Sequence, residues 1–497
     1  MSETLHAMIE IDADDIIGEI HPHVYGHFIE HLDGCIYGGV WDGERQGFHR
    51  EALALAKELR IPILRYPGGC FADGYHWRDG VGPRDQRPAR FDEAWKAEEL
   101  NLFGTDEFIE YCRLLDAEPY LCANFGSGTP EEAAGWVEYC NGPADSEQGR
   151  LRAEFGHRDP YQVKYWGIGN EICLGGEIGH VDATTYAQGY LRFREAMLAA
   201  DPDLKFVAVG WHDDLPEWNP EVLRVAGAEI DYLAIHHYLP GLKRDHGLDD
   251  DQVYRAIVAA NLDIEERLTW VVGCLDEAER QHGHRPKIAF DEWNVAPPHR
   301  RRDGDGVGKA YYTTRDGLFA AAFLNSLHRF CGDVTMANLA QLVNLLPAIV
   351  AVPGRAWATP VYWAVWLYRH HAGEVAARAR VQCDTFALPQ TGNVRQQAAV
   401  PWLDVSPTFD RDGRTMSLCV VNRHRTADIR AQLALRGFDP EPDGETWTLS
   451  GPDALSRNLA DSPETVIVVR DSVGGLGARF QHTFPAHSAT ILRARRR

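Results

Sequence analysis

Lys164-Tyr165-Trp166-Gly167-Ile168-Gly169-Asn170-Glu171 runs from an apolar, β-favouring stretch directly into an amide and a carboxylate. After it, Asp182 caps a segment in which Tyr186, Tyr190, Phe193 and Met197 recur at helical spacing, and Lys205 to Gly210 is again a short β-rich run. Strand, helix, strand in that order is the unit of a parallel sheet, because two parallel strands can be joined only through a crossover.

The same alternation extends both ways. Short β-rich runs occur at His23 to Ile29, Pro62 to Tyr66, Pro119 to Asn124, Lys164 to Gly169, Lys205 to Gly210, Asp231 to His236, Lys287 to Asp291 and Val334 to Leu339. Eight is the number that closes a parallel sheet into a barrel. Between them, Ala52, Leu55, Ala56 and Leu59 keep a helical period, and Thr129-Pro130-Glu131-Glu132 is a capping box with proline at the first helical position. Asp249 to His282 is helical in period and is expected to carry a break, and Thr359 to His371 reads as the last barrel helix.

Beyond Gly373 the texture changes to alternating runs, among them Thr415 to Val421, Thr465 to Val469 and Ala489 to Leu492, divided by Asp-Gly and proline-rich turns. The expected architecture is therefore α/β: a (β/α)8 TIM barrel over 21–373 with a C-terminal, jelly-roll-like all-β sandwich over 374–497. Residues 1–20, which include the alternating run Ala7 to Asp12, are expected to pair into that sandwich. Arg300 to Gly306 reads as polar loop.

Composition narrows the function. The 497 residues carry a formal charge of −23, which repels a polyanion, so nucleic acid is excluded as a partner; the basic end at Arg493 and Arg495 to Arg497 reads as a solvated tail. No uninterrupted apolar run reaches the roughly 18 residues of a membrane span. The ten cysteines are scattered without a C-x-x-C pair, and Met1 to His6 lacks the marks of an export signal, so the expected location is the cytoplasm.

In a parallel barrel the chemistry gathers at the C-terminal ends of the strands. Glu171 closes the fourth run, and Ala289-Phe290-Asp291-Glu292-Trp293-Asn294 puts Glu292 at the end of the seventh. A single glutamate after a strand is ordinarily a surface or capping residue. Two of them aimed into one mouth are what cleavage of a glycosidic bond needs: one protonates the leaving oxygen while the other attacks the sugar or activates water.

Other candidates have plainer readings. His27 and His31 have the i,i+4 spacing of a metal pair, but such residues share a face only in a helix, and here a strand runs into a loop. No metal or other cofactor is expected. His236 and His237 are expected to shape the pocket, one facing the barrel and the other packed behind it. Gly68-Gly69 reads as a tight turn, lacking the lysine of a phosphate loop. Trp77 and Trp95 could each stack on sugar or lie in the core.

Several runs, taken in order, resemble glycoside hydrolase family 51 of clan A: Gly26-His27-Phe28-Ile29-Glu30-His31-Leu32, Arg65-Tyr66-Pro67-Gly68-Gly69-Cys70-Phe71, Tyr75 to Pro83 and Ala340-Gln341-Leu342-Val343-Asn344. The resemblance covers about residues 21 to 350 and implies a retaining, exo-acting α-L-arabinofuranosidase that trims arabinoxylan- or arabinan-derived oligosaccharides, and a homo-oligomer, often a hexamer. It implies Glu171 as acid/base, Glu292 as nucleophile, Asn170 on the sugar 2-hydroxyl, Tyr238 orienting the nucleophile, and Glu30 and Gln341 on furanose hydroxyls. Cys70 stands where some relatives have asparagine, and a thiol is the weaker hydrogen-bond donor. The loop after Asn294 lacks the aromatics that some relatives place near the leaving group.

The two-glutamate machinery does not choose the sugar, so another clan A retaining glycosidase (endoglucanase, β-xylosidase or xylanase) is the alternative. A non-catalytic carbohydrate-binding protein on the same scaffold is a further one; its mark would be the loss of a catalytic carboxylate, and both are present. A carboxyl separation of about 5 to 5.5 Å would indicate retention, and one near 9 Å inversion.

Overall fold

The structure, a computed structural model, describes residues 5–43, 45–243, 245–296 and 312–497. The Arg300 to Gly306 segment, and most of the loop after Asn294, lie outside the described residues. Eight strands, Gly26–Phe28, Ile63–Tyr66, Glu118–Ala123, Tyr165–Ile168, Lys205–Ala208, Tyr232–Leu239, Lys287–Val295 and Val334–Ala340, close a barrel in sequential order, every neighbouring pair parallel. Side chains alternate along them. Ile63, Tyr120, Tyr165, Val207, Ala234, Ala289 and Met336 fill the barrel, while Leu64, Leu121, Trp166, Phe206, Leu233 and Phe290 face outward into the core shared with the helices.

The first strand is shorter than the sequence suggests. Pro22 opens a 3-10 turn over Pro22–Tyr25, held by the His21 side chain accepting from the His23 amide, so pairing begins only at Gly26. There a Cβ would lie 2.7 Å from the Ala337 carbonyl oxygen, which explains the glycine. The break expected within Asp249 to His282 is absent: Asp250–His282 is one helix of 33 residues, opened by an Asp249/Gln252 capping box and ended by Gly283 at φ +68°. Its apolar stripe, through Val253, Ile257, Ile264, Leu268, Val271 and Leu275, stays buried along the length, leaving no point at which breaking would help.

The seventh strand departs from strict alternation. Ala234 pairs with Ala289 and His236 with Glu292, so three steps on this strand face two on its neighbour, and the same excess occurs against the eighth strand. This β-bulge lets the consecutive residues Asp291 and Glu292 both turn into the barrel, while Phe290 and Trp293 both turn out onto Phe323.

Nine further strands are joined edge to edge in one sheet. Leu5–Glu19 lies inside it, antiparallel to Val375–Cys383 and parallel to Ile429–Arg436. The run of sequence at Thr465 to Val469 is paired only from Ile467, in a strand that continues to Gly474. This sheet has its own core around Ile9, Leu418, Leu433 and Phe480. It docks on the barrel helices through Asp404, which accepts from Asn261, Asn325, Arg329 and the fully buried Arg423.

Candidate active site

A cavity of about 510 Å³ opens at the C-terminal mouth of the barrel. Glu30, Cys70, Trp95, Glu171, Tyr238, Glu292 and Gln341 line it; Asn170 lies beneath its floor. Glu171 leaves the fourth strand with φ +46°, a turn that swings its carboxyl toward the axis. Glu292 lies inside the seventh strand rather than after it, because that strand runs on to Val295. One carboxylate oxygen of each and a nitrogen of His236 lie within 4.8 Å of one another.

Glu292 is held on both oxygens: Arg65 Nη1 donates to Oε1 at 2.6 Å and the Tyr238 hydroxyl to Oε2 at 2.7 Å. Arg65 Nη2 donates to Asn170 Oδ1 at 2.7 Å, and the Asn170 amide donates to Asp73 at 2.7 Å. One guanidinium thus ties the fourth strand to the seventh, a task for its rigid, forked donors. The side-chain Nδ2 of Asn170 is buried with no hydrogen-bond partner among the described residues.

His236 bridges the carboxylates, Nδ1 to Glu171 at 2.9 Å and Nε2 to Asp291 at 3.1 Å. Burial alone would push the imidazole down, but the charges of Glu292 and Asp291, with these hydrogen bonds, raise it to about 10. It is an imidazolium at neutral pH, donating from both nitrogens. Asp291 also accepts from Tyr120 at 2.7 Å, and the charges of Arg65 and His236 overcome its burial and hold it below the usual carboxylate range.

At the other side of the mouth Glu30 accepts from Trp95 Nε1 at 3.0 Å, from the Phe71 amide at 3.3 Å and from Gln341 Nε2 at 2.8 Å. Burial, aided by the charge of Glu292, still raises it to about 8. The Cys70 thiol donates to Glu177 at 3.3 Å, and burial together with Glu171 and Glu30 pushes it far up, so it lines the cavity as a neutral, already engaged group.

Trp77 is core: it is buried and donates to the Glu132 carbonyl. His31 is held by Tyr66 and Glu99, away from His27. His236 faces the barrel and His237 lies against Asp263 and His212. Among the described residues three groups of metal-ligand type reach the mouth, Glu171 with His236 and Glu292, Cys70 with Glu171 and Glu177, and His212 with Asp213 and Asp214. Each is already engaged: His236 bonds Glu171, Arg65 and Tyr238 hold Glu292, Cys70 donates to Glu177, and Arg267 pairs with His212, Asp213 and Asp214.

Sequence reasoning did not single out Arg65, Asp73, Asp291 or Glu177. The signal for Arg65 was available, as a charged residue in an otherwise apolar strand; Asp291 needed the bulge.

The chain matches the family models for the α-L-arabinofuranosidase 1 domain over residues 55–249 and the α-L-arabinofuranosidase C-terminal domain over residues 291–488. It is 35% identical to a probable α-L-arabinofuranosidase C of Aspergillus terreus, over 96% of this chain and 95% of the relative. It is 31% identical to an intracellular exo-α-(1→5)-L-arabinofuranosidase of Halalkalibacterium halodurans, over 88% of each. The crystal structure of an α-L-arabinofuranosidase from Thermotoga maritima in complex with arabinose superposes with a TM-score of 0.89 at 37% identity, over 98% of this chain and all of that one. Ordered motifs, a closed barrel with paired glutamates at its mouth and near full-length similarity agree: the chain belongs to the α-L-arabinofuranosidases of glycoside hydrolase family 51.

Proposed function

We propose that the protein is a retaining, exo-acting α-L-arabinofuranosidase that removes terminal non-reducing arabinofuranosyl residues from arabinoxylan- and arabinan-derived oligosaccharides. The observation that carries this reading is the approach of Glu171 and Glu292 to within 4.8 Å, oxygen to oxygen. So close an approach supports direct attack on the anomeric carbon, since inverting enzymes hold their two carboxyl groups roughly 6.5 to 9.5 Å apart. Glu292, fixed by Arg65 and Tyr238, attacks the anomeric carbon while Glu171 delivers its proton to the departing oxygen. Water then displaces Glu292 from the glycosyl-enzyme, giving a proton to Glu171. The His236 imidazolium stabilises the Glu171 carboxylate that the first half-reaction forms and the second consumes.

Exo action is supported by the hydrogen-bonded wall Trp95–Glu30–Gln341, which blocks one side of the cavity as a terminal sugar requires. The names of the Aspergillus and Halalkalibacterium relatives support the sugar, and the latter's "intracellular", with ten free cysteines here, supports the cytoplasm. In this reading the barrel over 21–373 carries the chemistry, 374–497 form the C-terminal β domain that the N-terminal segment joins, and the protein works as a homo-oligomer, which light scattering tests.

The test is a panel of aryl glycosides with the first-formed sugar followed by NMR. Hydrolysis of the α-L-arabinofuranoside with retained configuration, far above the xyloside and glucoside, is expected. Preference for another sugar, or inversion, would reject the proposal.

A further inference from the structure

Between the sheet strands Val375–Cys383 and Leu403–Phe409 the chain leaves the sheet as a hairpin, Thr385–Leu388 paired with Gln397–Pro401. Its tip, closed by a bridge between Thr391 and Val394, reaches the mouth of the barrel, where Asn393 lines the cavity. The tip is fastened to the end of the sixth strand: the Asn393 amide donates to the Pro240 carbonyl at 2.9 Å and Nδ2 to the Tyr238 carbonyl at 2.9 Å. Gly392, at φ +62°, sits where a Cβ would come within 1.9 Å of the Pro240 oxygen. Behind the tip, Arg395 donates through its amide to Asp263 at 3.1 Å and through Nη2 to Asp213 at 2.6 Å, and Arg267 donates to the Asn393 carbonyl at 3.3 Å.

Position around the ring says what this tip is for. The wall of Glu30, Trp95 and Gln341 belongs to strands eight, one and two and the loop after strand two. Glu171 follows strand four, Trp211 and Asp214 follow strand five, and the tip covers the end of strand six, so these groups share the opposite sector of the cavity. A terminal sugar held against the first wall has its scissile oxygen at Glu171, and whatever is attached to that oxygen extends over strands four to six.

We infer that the hairpin of the sheet domain is part of the substrate site, its tip at Asn393 forming the wall against which the leaving sugar is seated. This rests on the glycosidase reading above. It gives the sheet domain a role in choosing the leaving group, and makes Arg395 and Gly392 positioning residues that act through the tip without lining the cavity.

Two substrates separate the wall from the chemistry: an α-1,5-linked arabinofuranosyl disaccharide, whose leaving group is a sugar, and α-L-arabinofuranosyl fluoride, whose leaving group is one atom. Arg395→Ala releases the tip, and Gly392→Ala pushes it off Pro240. For each variant kcat/KM on the disaccharide is expected to fall by about tenfold or more, while that on the fluoride stays within about twofold. Thermal unfolding confirms that the variants are folded, and Arg395→Lys, which keeps the charge opposite Asp213, should recover part of the disaccharide rate. Equal losses on both substrates, or no loss on either in folded protein, would overturn the wall. A wild-type enzyme that cleaves neither substrate would instead sink the activity reading itself.

Discussion

At Glu30 three donors favour the carboxylate and burial opposes it, and burial prevails, leaving the group protonated up to about pH 8. The consequence for stability has a definite sign. Between the pKa of an unfolded glutamate and about 8 the native state holds a proton that the unfolded chain has released, so this residue makes stability fall as pH rises. Glu30→Gln removes that slope. Its melting temperature relative to wild type is expected to improve steadily from about pH 5 to 8, and an offset that does not vary with pH would refute the assignment. Glu171 and Glu292 call for kinetic tests. Glu292→Ala should abolish nearly all turnover in folded protein. Glu171→Ala should cost about 10²- to 10⁴-fold on alkyl or sugar leaving groups and much less on activated aryl ones, because only the former need the proton. Equal losses on both kinds would remove Glu171 from the acid role. Both glutamates were legible in sequence, since each follows an apolar run at a place where a barrel puts its chemistry. Arg65 showed only as a charge in an apolar strand, since its partners are brought together by ring closure, and Asp291 was not legible, because strict alternation would have aimed one of the two adjacent acids away from the cavity.

Among the elements, the bulge in Lys287–Val295 decides which side chains meet substrate. It is invisible in the residue pattern: Phe290-Asp291-Glu292-Trp293 could equally be an in-out alternation or, as found, a pair in and a pair out. What holds the outcome in place is the outer face, where Trp293 stacks on Phe323 at 4.0 Å between centroids and Phe290 meets the same ring edge-on. Trp293→Ala would leave a cavity in the core shared with the helix Thr314–Arg329 and is expected to cost about 3–5 kcal/mol. Denaturant titration measures it; a loss under about 1 kcal/mol would show that the stack does not secure the strand. The eight strand positions were legible because a buried parallel strand is a short apolar run bounded by turns, a local signal. The continuity of Asp250–His282 was not, since it depends on what packs along its length.

For the molecule as a whole, the arrangement of barrel and sheet turns on Asp404, which accepts from two asparagines on the barrel helices as well as from Arg329 and the sheet's own Arg423. The change of texture after Gly373 reveals a second unit, but no local pattern says which face it presents to the barrel or that its hairpin reaches the cavity; those facts exist only between distant residues. Arg423 is wholly buried, so loss of its partner leaves a charge without compensation. Asp404→Asn is therefore expected to destabilise by about 3–5 kcal/mol at pH 7. The arginine charges outweigh burial and hold Asp404 far below the usual carboxylate range, so its contribution is complete above the pKa of an unfolded aspartate and lost only as pH falls through the lower native value. The gap between wild type and Asp404→Asn should stay level from pH 7 down to about 5 and close only in more acid solution. A gap that closed at neutral pH, or one confined to the sheet with the barrel unfolding unchanged, would show that this contact does not couple the two units.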